Sequence, residues 1–287
     1  MDCDCHIHMI LDGVYYKDAI DSHKSGVRTD LVRQRLAAYR EAGVTYLRDG
    51  GDAWGVSLYA RSVAADYGIT SVTPSFPIHR KGRYGSFIGR GYETEAEYRA
   101  LLDEAEALQA DFIKLMVAGL VDYSVCGRVS CAPLEGGEMA RLVALAHERG
   151  FAVMAHVNGD RAIADALRAG VDSVEHGNFM SQETLRLLSD SGAVWVPTLA
   201  PAANIIHSGR YSAAVLREIT DRQLSSVAEG AAMGALIAPG SDAGAWHVFH
   251  PTGAADELRY LHTALGGSTE EILRRGAEEI RRRFRRG

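Results

Sequence analysis

The chain has 287 residues, 47% hydrophobic and 24% charged, with 30 glycines; it carries the apolar material of a large core and too much of it for a disordered chain. Its 37 acidic residues outnumber 31 basic ones for a formal charge of −6, a modest excess spread along the chain that argues against a nucleic-acid groove or an anionic membrane surface. No stretch approaches the roughly 18 apolar residues of a membrane span, and the N-terminus lacks the layout of a secretion signal, so the cytoplasm is the expected compartment.

The first predicted element is a strand around Cys3 to Met9, which contains DCHIH. From there a unit recurs in which a helical stretch ends at a glycine and an apolar, β-rich run follows. The junctions are Gly43 before VTYLRDG, Gly68 before ITSVTPSF, Gly150 before FAVMAHV, Gly170 before VDSVEHG, Gly192 before AVWVPTLA and Gly234 before ALIAPGSD. Glycine past a helix end supplies the left-handed cap, and near-continuous apolar runs suit strands buried on both faces. A run DFIKLMV at 111–117 brings the count to eight strands. Thr29, Thr94 with Glu97, and Ser181 stand where helix N-caps belong, and the stretch PIHRKGRYGSFIGRGYE reads as a loop after the third strand. The basic run Arg281, Arg282, Arg283, Arg285 and Arg286 reads as a solvated helix end.

Alternating β and α units without a long linker predict a parallel sheet, and eight of them predict closure into one (β/α)₈ TIM barrel over residues 1–287. A doubly wound open sheet would want a glycine-rich phosphate turn after the first strand, and none is there. Cys3, Cys5, Cys126 and Cys131 are too few for a disulfide scaffold and show no zinc-finger spacing, so they read as reduced thiols.

Barrel enzymes carry their chemistry at the C-terminal ends of the strands. His6 and His8, two apart on the first strand, point to one face, the barrel interior, and can bind a divalent cation or be an ordinary half-buried pair. Lys114 sits among apolar neighbours on the fourth strand, where a bare ammonium is costly. A buried carboxylate partner, a Schiff base to substrate or pyridoxal phosphate, or a carbamate formed with CO₂ would each neutralise it; alone, the residue favours the ion pair. His156 and His176 end the fifth and sixth strands, and Asp242 ends the eighth. Any one of these has an ordinary structural use, whereas all of them at strand ends of one barrel point to a metal site.

As a set, DCHIHM, FIKLMVAG, AHVNG, DSVEHGNF, VWVPTL and PGSDAG resemble the amidohydrolase superfamily, in its prolidase-like and imidazolonepropionase-like branch, and they run in order along nearly the whole chain. The resemblance implies two divalent metal ions, with zinc the best match to imidazole and carboxylate ligands. His6, His8 and Asp242 would hold the buried metal, His156 and His176 the more exposed one, and a Lys114 carbamate would bridge them. It further implies hydrolysis of an amide or related C–N bond by a metal-bridging hydroxide, with Asp242 as proton shuttle. Members usually add a small β-sandwich; because this chain begins close to His6 and ends soon after Ile280, a barrel lacking it is expected.

Substrate selection is assigned to the loops, which offer Arg80, Lys81, Arg83, Arg90, Tyr123, Arg128, His207, Arg210, Tyr211 and His247. One of the cations is expected to receive a substrate carboxylate, as in dipeptides or N-acyl amino acids. His147, on the helical run LVALAHERG, reads as an ordinary helix-face residue, and Cys5 is expected to point away from the metals. The partner is a small molecule, and a homo-oligomer is compatible with the sequence. Three other functions remain open at this stage: a lactone or phosphotriester hydrolase on the same metals, a pyridoxal phosphate barrel using Lys114, and a non-catalytic barrel with an impaired metal site.

Overall fold

A computed structural model describes residues 2–285, so Arg286 lies outside the described residues. The elements run β1 (Cys3–Ile7), α1 (Tyr16–Asp21), α2 (Thr29–Glu41), β2 (Tyr46–Asp49), α3 (Val56–Ala64), β3 (Thr70–Val72), β4 (Pro77–Arg80), β5 (Arg90–Tyr92), α4 (Glu95–Ala107), β6 (Ile113–Met116) and α5 (Gly136–Glu148). They continue with β7 (Val153–Val157), α6 (Asp160–Ala169), β8 (Ser173–His176), α7 (Gln182–Ser191), β9 (Val194–Val196), α8 (Ala200–Ala203), α9 (Ala213–Ala232), β10 (Leu236–Ile237), α10 (Thr252–Leu265) and α11 (Thr269–Arg283).

Every strand pair is parallel. The ladders run β1-β2-β3 and β10-β9-β8-β7-β6-β4-β5. Backbone bonds join the two runs into a ring: Cys5 N donates to Pro239 O, Asp242 N to His6 O, and His8 N to Ala243 O, at 2.7–2.9 Å, while Asp111 N donates to Thr73 O on the other side. The result is the expected (β/α)₈ barrel and not an open doubly wound sheet.

The third barrel strand is in two pieces. β3 pairs with β2, the chain turns through Ser75 at φ 68°, and β4 then pairs with β6, Pro77 opposite Lys114. Pro77 is tolerated because it opens its strand, where no ladder donor is lost. The segment expected to be one loop thus contains β4 and, after a further turn, the edge strand β5. Both are three or four residues long and carry Arg80 and Arg90 in place of an apolar run, which hides them from a pattern reading.

The helix caps follow the expected chemistry with one shift. Thr94 and Glu97 form a reciprocal capping box, and the Ser181 side chain accepts from Thr184 N. Thr29 is instead the first helical residue of α2 and makes no side-chain cap bond; Arg28 precedes it and pairs with Asp30.

Alternation along the strands sorts the interior from the exterior. Ile113, Leu115, Val153, Ala155, Val174 and Trp195 join the large cluster beneath the surrounding helices, whereas Phe112, Met154, Val194 and Val196 fill the lower barrel. Ile280 of α11 and Phe284, which caps its C-terminus, close that lower end, with Phe284 edge-on to Phe112 at 5.2 Å. Among the described residues no helix is long and apolar enough to cross a membrane.

Helix α11 lies so close to β10 that a Cβ at Gly276 would meet the Ile237 carbonyl oxygen at 2.0 Å. Gly276→Ala, which by helix propensity alone should stabilise α11 by about 1 kcal/mol, is therefore expected to destabilise the protein by roughly 2–3 kcal/mol through overpacking against backbone, as read by urea unfolding.

Candidate metal centre

The residues singled out at the strand ends converge at the C-terminal mouth of the barrel. His6 Nε2 and His8 Nε2 lie 3.6 and 3.4 Å from Asp242 Oδ1, and these three groups form a set whose ligand atoms are all within 4.8 Å of one another. Lys114 Nζ stands 3.2 Å from His6 Nε2 and 3.3 Å from His8 Nε2. The ring of His176 is 5.1 Å from that of His6 and 4.5 Å from that of His156.

Backbone conformation singles out the same place. His176, Thr198 and Asp242 have φ of 66°, 50° and 59°, a left-handed region that side-chain-bearing residues rarely adopt and that costs of order 1–3 kcal/mol each. Gly50 shows the converse constraint: a Cβ there would come within 2.5 Å of both Lys114 Nζ and His8 Cε1, so the end of β2 must be bare to let them meet.

The donor set fits a metal ion. Burial holds the imidazoles of His6, His8 and His176 well below the usual range and brings His156 down to about 3, so all four are neutral with a lone pair to offer. In His176, Nδ1 is engaged by Thr198 Oγ1 at 2.7 Å, and Nε2 is buried without a hydrogen-bond partner. Burial also lowers Lys114 to about 8 and raises Asp242 to about 7. The ion pair that Lys114 alone favoured is not formed: among the described residues no carboxylate oxygen comes within ion-pair distance of its Nζ, whose contacts are the two imidazoles.

Beneath these ligands lies a layer that sequence reasoning missed. Glu175 is wholly buried; its Oε2 accepts from His6 Nδ1 at 2.7 Å, and its Oε1 accepts from Arg48 at 2.7 Å and from Ser173 Oγ at 2.5 Å. Arg48 is also fully buried and donates to Cys5 O and Ser173 Oγ. By accepting the hydrogen bond from Nδ1–H, Glu175 fixes the His6 tautomer that turns an unprotonated Nε2 toward the site. The signal was present in the alternation, since Glu175 lies two residues from Ser173 and inward-facing, but a charge next to His176 reads as a strand-end polar residue.

Above the ligands opens a cavity of about 380 Å³, within the usual range for small-molecule sites. His8, Lys114, His156, His176 and Asp242 line it, and its walls are largely apolar and aromatic. Tyr84 leans over His156 at 4.9 Å, a contact the sequence did not reveal.

Of the loop residues expected to select substrate, the structure brings only some to this cavity. Arg210 lines it, its guanidinium 4.8 Å from the centre of the Trp246 ring. Tyr123 packs edge-on to Tyr211 at 5.7 Å, and burial together with the Asp242 charge pushes its hydroxyl upward. His247 stands against Trp246 at 4.5 Å but is not part of the lining. Arg80, Arg83, Arg90 and Arg128 face elsewhere. Arg80 pairs with Glu138, Arg90 with Glu104 and Arg128 with Asp122, and Arg83 donates to Ala132 O. Each is neutralised or satisfied by a neighbour on its own surface, which residue type alone does not disclose. His147 is the helix-face residue expected, bonded to Asp172 at 2.8 Å, and Cys5 packs with Cys3 and Tyr46 away from the cavity.

Comparison with known proteins agrees with this picture. The model of the amidohydrolase family matches residues 3–280. An uncharacterized protein of Mycobacterium tuberculosis is 30% identical over 203 residues, covering 67% of this chain and 53% of its own. The ochratoxinase of Aspergillus niger is 26% identical over 273 residues, covering 83% of this chain and 56% of its own. The chain thus spans about half the length of these curated relatives. Among solved structures, a Xaa-Pro dipeptidase with methionine bound in its active site superposes with a TM-score of 0.77 at 21% identity, over 97% of this chain and 74% of that one, a likeness of fold.

Glu175→Gln keeps the shape of the buried side chain but weakens its hold on His6. It is expected to lower metal affinity by about 10- to 100-fold with the fold retained, as measured by chelator competition and circular dichroism; wild-type affinity in this variant would refute the role given to Glu175.

Proposed function

The chain belongs to the amidohydrolase family, and from that premise we propose that it hydrolyses an amide or related C–N bond, of the dipeptide or N-acyl amino acid class, with two divalent metal ions, zinc the best match to its donors. The observation that carries this is the gathering of four neutral histidines, one lysine and one aspartate from five strand ends, with all but the wholly buried His6 lining a single cavity.

His6, His8 and Asp242 would hold one metal, and His156 and His176 the other. Lys114 would join them as a carbamate: burial keeps part of the amine unprotonated near neutral pH, its nitrogen adds to CO₂ with loss of a proton, and the product is an anion suited to lie between cations. Bound in this way, the metals supply Lewis acidity and lower the pKa of a bound water. Asp242 supplies the proton path. Its carboxylate, raised to about 7 and facing the cavity, accepts a proton at an oxygen as water attacks the carbonyl, then gives it to the leaving nitrogen. Glu175, through His6, holds the first pair of ligands in register. The apolar walls exclude water from around the scissile bond and so strengthen each electrostatic contact.

Metal analysis after loading in bicarbonate tests the reading, together with a screen of dipeptides and N-acyl amino acids. Wild type is expected to hold about two metal ions per chain and to release the amine. Lys114→Ala should lose metal and activity together and gain nothing from bicarbonate. A loaded wild type that cleaves lactones or phosphotriesters and no amide would overturn the substrate class while keeping the metal centre.

A further inference from the structure

The ring of His156 is held the opposite way round from those of two of its neighbours. His6 and His176 each hydrogen-bond a protein oxygen through Nδ1, that of Glu175 for one and of Thr198 for the other, which leaves Nε2 to face the site. His156 instead points Nε2 at the carbonyl oxygen of Gly119, 3.4 Å away. A carbonyl oxygen only accepts, so this contact places the proton of the neutral ring on Nε2 and leaves the lone pair on Nδ1.

The Gly119 oxygen is held in place by Asn158, a buried side chain two residues beyond His156. Asn158 Nδ2 donates to the same oxygen at 3.0 Å, and Asn158 Oδ1 accepts from Asn178 Nδ2 at 2.8 Å and from Asn178 N at 3.2 Å. Both ends of the carboxamide are engaged, which fixes its orientation. Asn178 is buried as well and stands two residues beyond His176. One side chain thus ties together the segments that follow β6, β7 and β8, the strands that carry Lys114, His156 and His176. Gly119 has little room to move: a Cβ there would come within 2.5 Å of Ser130 Oγ and 2.6 Å of Cys131 N, so it is pressed against the returning leg of its own loop. In that loop Leu120 N donates to Ser130 Oγ at 2.9 Å, and Leu120 lines the cavity.

We infer that Asn158 is a positioning residue for His156: by fixing the Gly119 carbonyl it sets the tautomer and tilt of the ring, so that Nδ1 is the nitrogen offered to a metal ion. This rests on reading the centre as metal-binding, although the place of the ring proton does not. A clamp that served only to hold the loops together would stabilise the fold and leave the ring proton indifferent to it.

The test is long-range proton–nitrogen NMR on protein with isotope-labelled histidine near neutral pH, the His156 signals being those absent from His156→Gln. Wild type, Asn158→Ala and Asn158→Asp are compared metal-free, then loaded with zinc and titrated with a chelator. Asn158→Ala removes the bonds to Gly119 and Asn178, whereas Asn158→Asp keeps the size of the side chain and the acceptor for Asn178 but replaces the Nδ2 donor. Metal-free wild type is expected to carry the His156 proton on Nε2 alone, and in both variants the signals should move toward the average of the two tautomers, with those of His176 unchanged. One of the two zinc ions should be held about 10- to 100-fold more weakly in the variants, the other as in wild type. A proton on Nδ1 of His156 in wild type overturns the proposal, whether or not either variant folds. So does a His156 tautomer that survives both substitutions, or an equal weakening of both ions, which is what loosened loops alone would give. A wild type that binds no zinc yet shows the Nε2 proton, lost in the variants, would sink the two-metal reading and leave Asn158 as the residue that orients His156.

Discussion

Everything at the mouth of this barrel depends on how a small closed sheet manages charge in its interior. Glu175 is the pivot. Wholly buried, it accepts from Arg48 and Ser173 on one oxygen and from His6 on the other, so the same carboxylate that neutralises a buried guanidinium also orients the His6 imidazole. Neither charge would be tolerable alone at that depth, since removing one partner of a buried pair leaves the other unpaired at a cost of several kcal/mol. Below them Phe284 lies 4.4 Å from the Arg48 guanidinium and seals the barrel floor, while above them the imidazoles open to the cavity. The barrel is thus apolar at its base, ionic at its waist and lined with neutral imidazole donors at its mouth.

This layering explains the electrostatics of the upper level. Burial pushes four histidines toward neutrality and brings Lys114 down to about 8 and Asp242 up to about 7, so the polypeptide presents donors whose charged states are all disfavoured. A site of that kind invites cations. The left-handed conformations at His176, Thr198 and Asp242 belong to the same economy, because the chain accepts local strain at the strand ends in order to aim these side chains inward.

Much of this was legible in the amino-acid sequence, and the reasons are physical. The glycine-terminated helices and the apolar runs behind them encode the barrel, since a strand buried on both faces has little choice of residue. His6, His8, Lys114, His156, His176 and Asp242 stood out because polar residues at the ends of such runs are conspicuous. What stayed hidden was whatever depends on partners distant in the chain. The break at Ser75 and the short strands β4 and β5 follow from pairing with β6, not from local pattern. The expected ion pair for Lys114 assumed a nearby carboxylate, but the acids closest in sequence are engaged elsewhere, Asp111 with Arg61 and the backbone of Thr73. Arg48 looked like an ordinary strand residue, and Arg80, Arg83, Arg90 and Arg128 looked as available as Arg210, because only three dimensions show which cations already have partners.

The central claim is that six side chains from five strand ends hold a pair of cations. Anomalous diffraction at the zinc absorption edge, from crystals of the metal-loaded protein, tests it most directly. The account predicts two anomalous peaks, one among His6, His8 and Asp242 and one between His156 and His176, with density extending from Lys114 Nζ to both. Peaks found only at the molecular surface, or histidines in the loaded crystal that contact no metal, would contradict it.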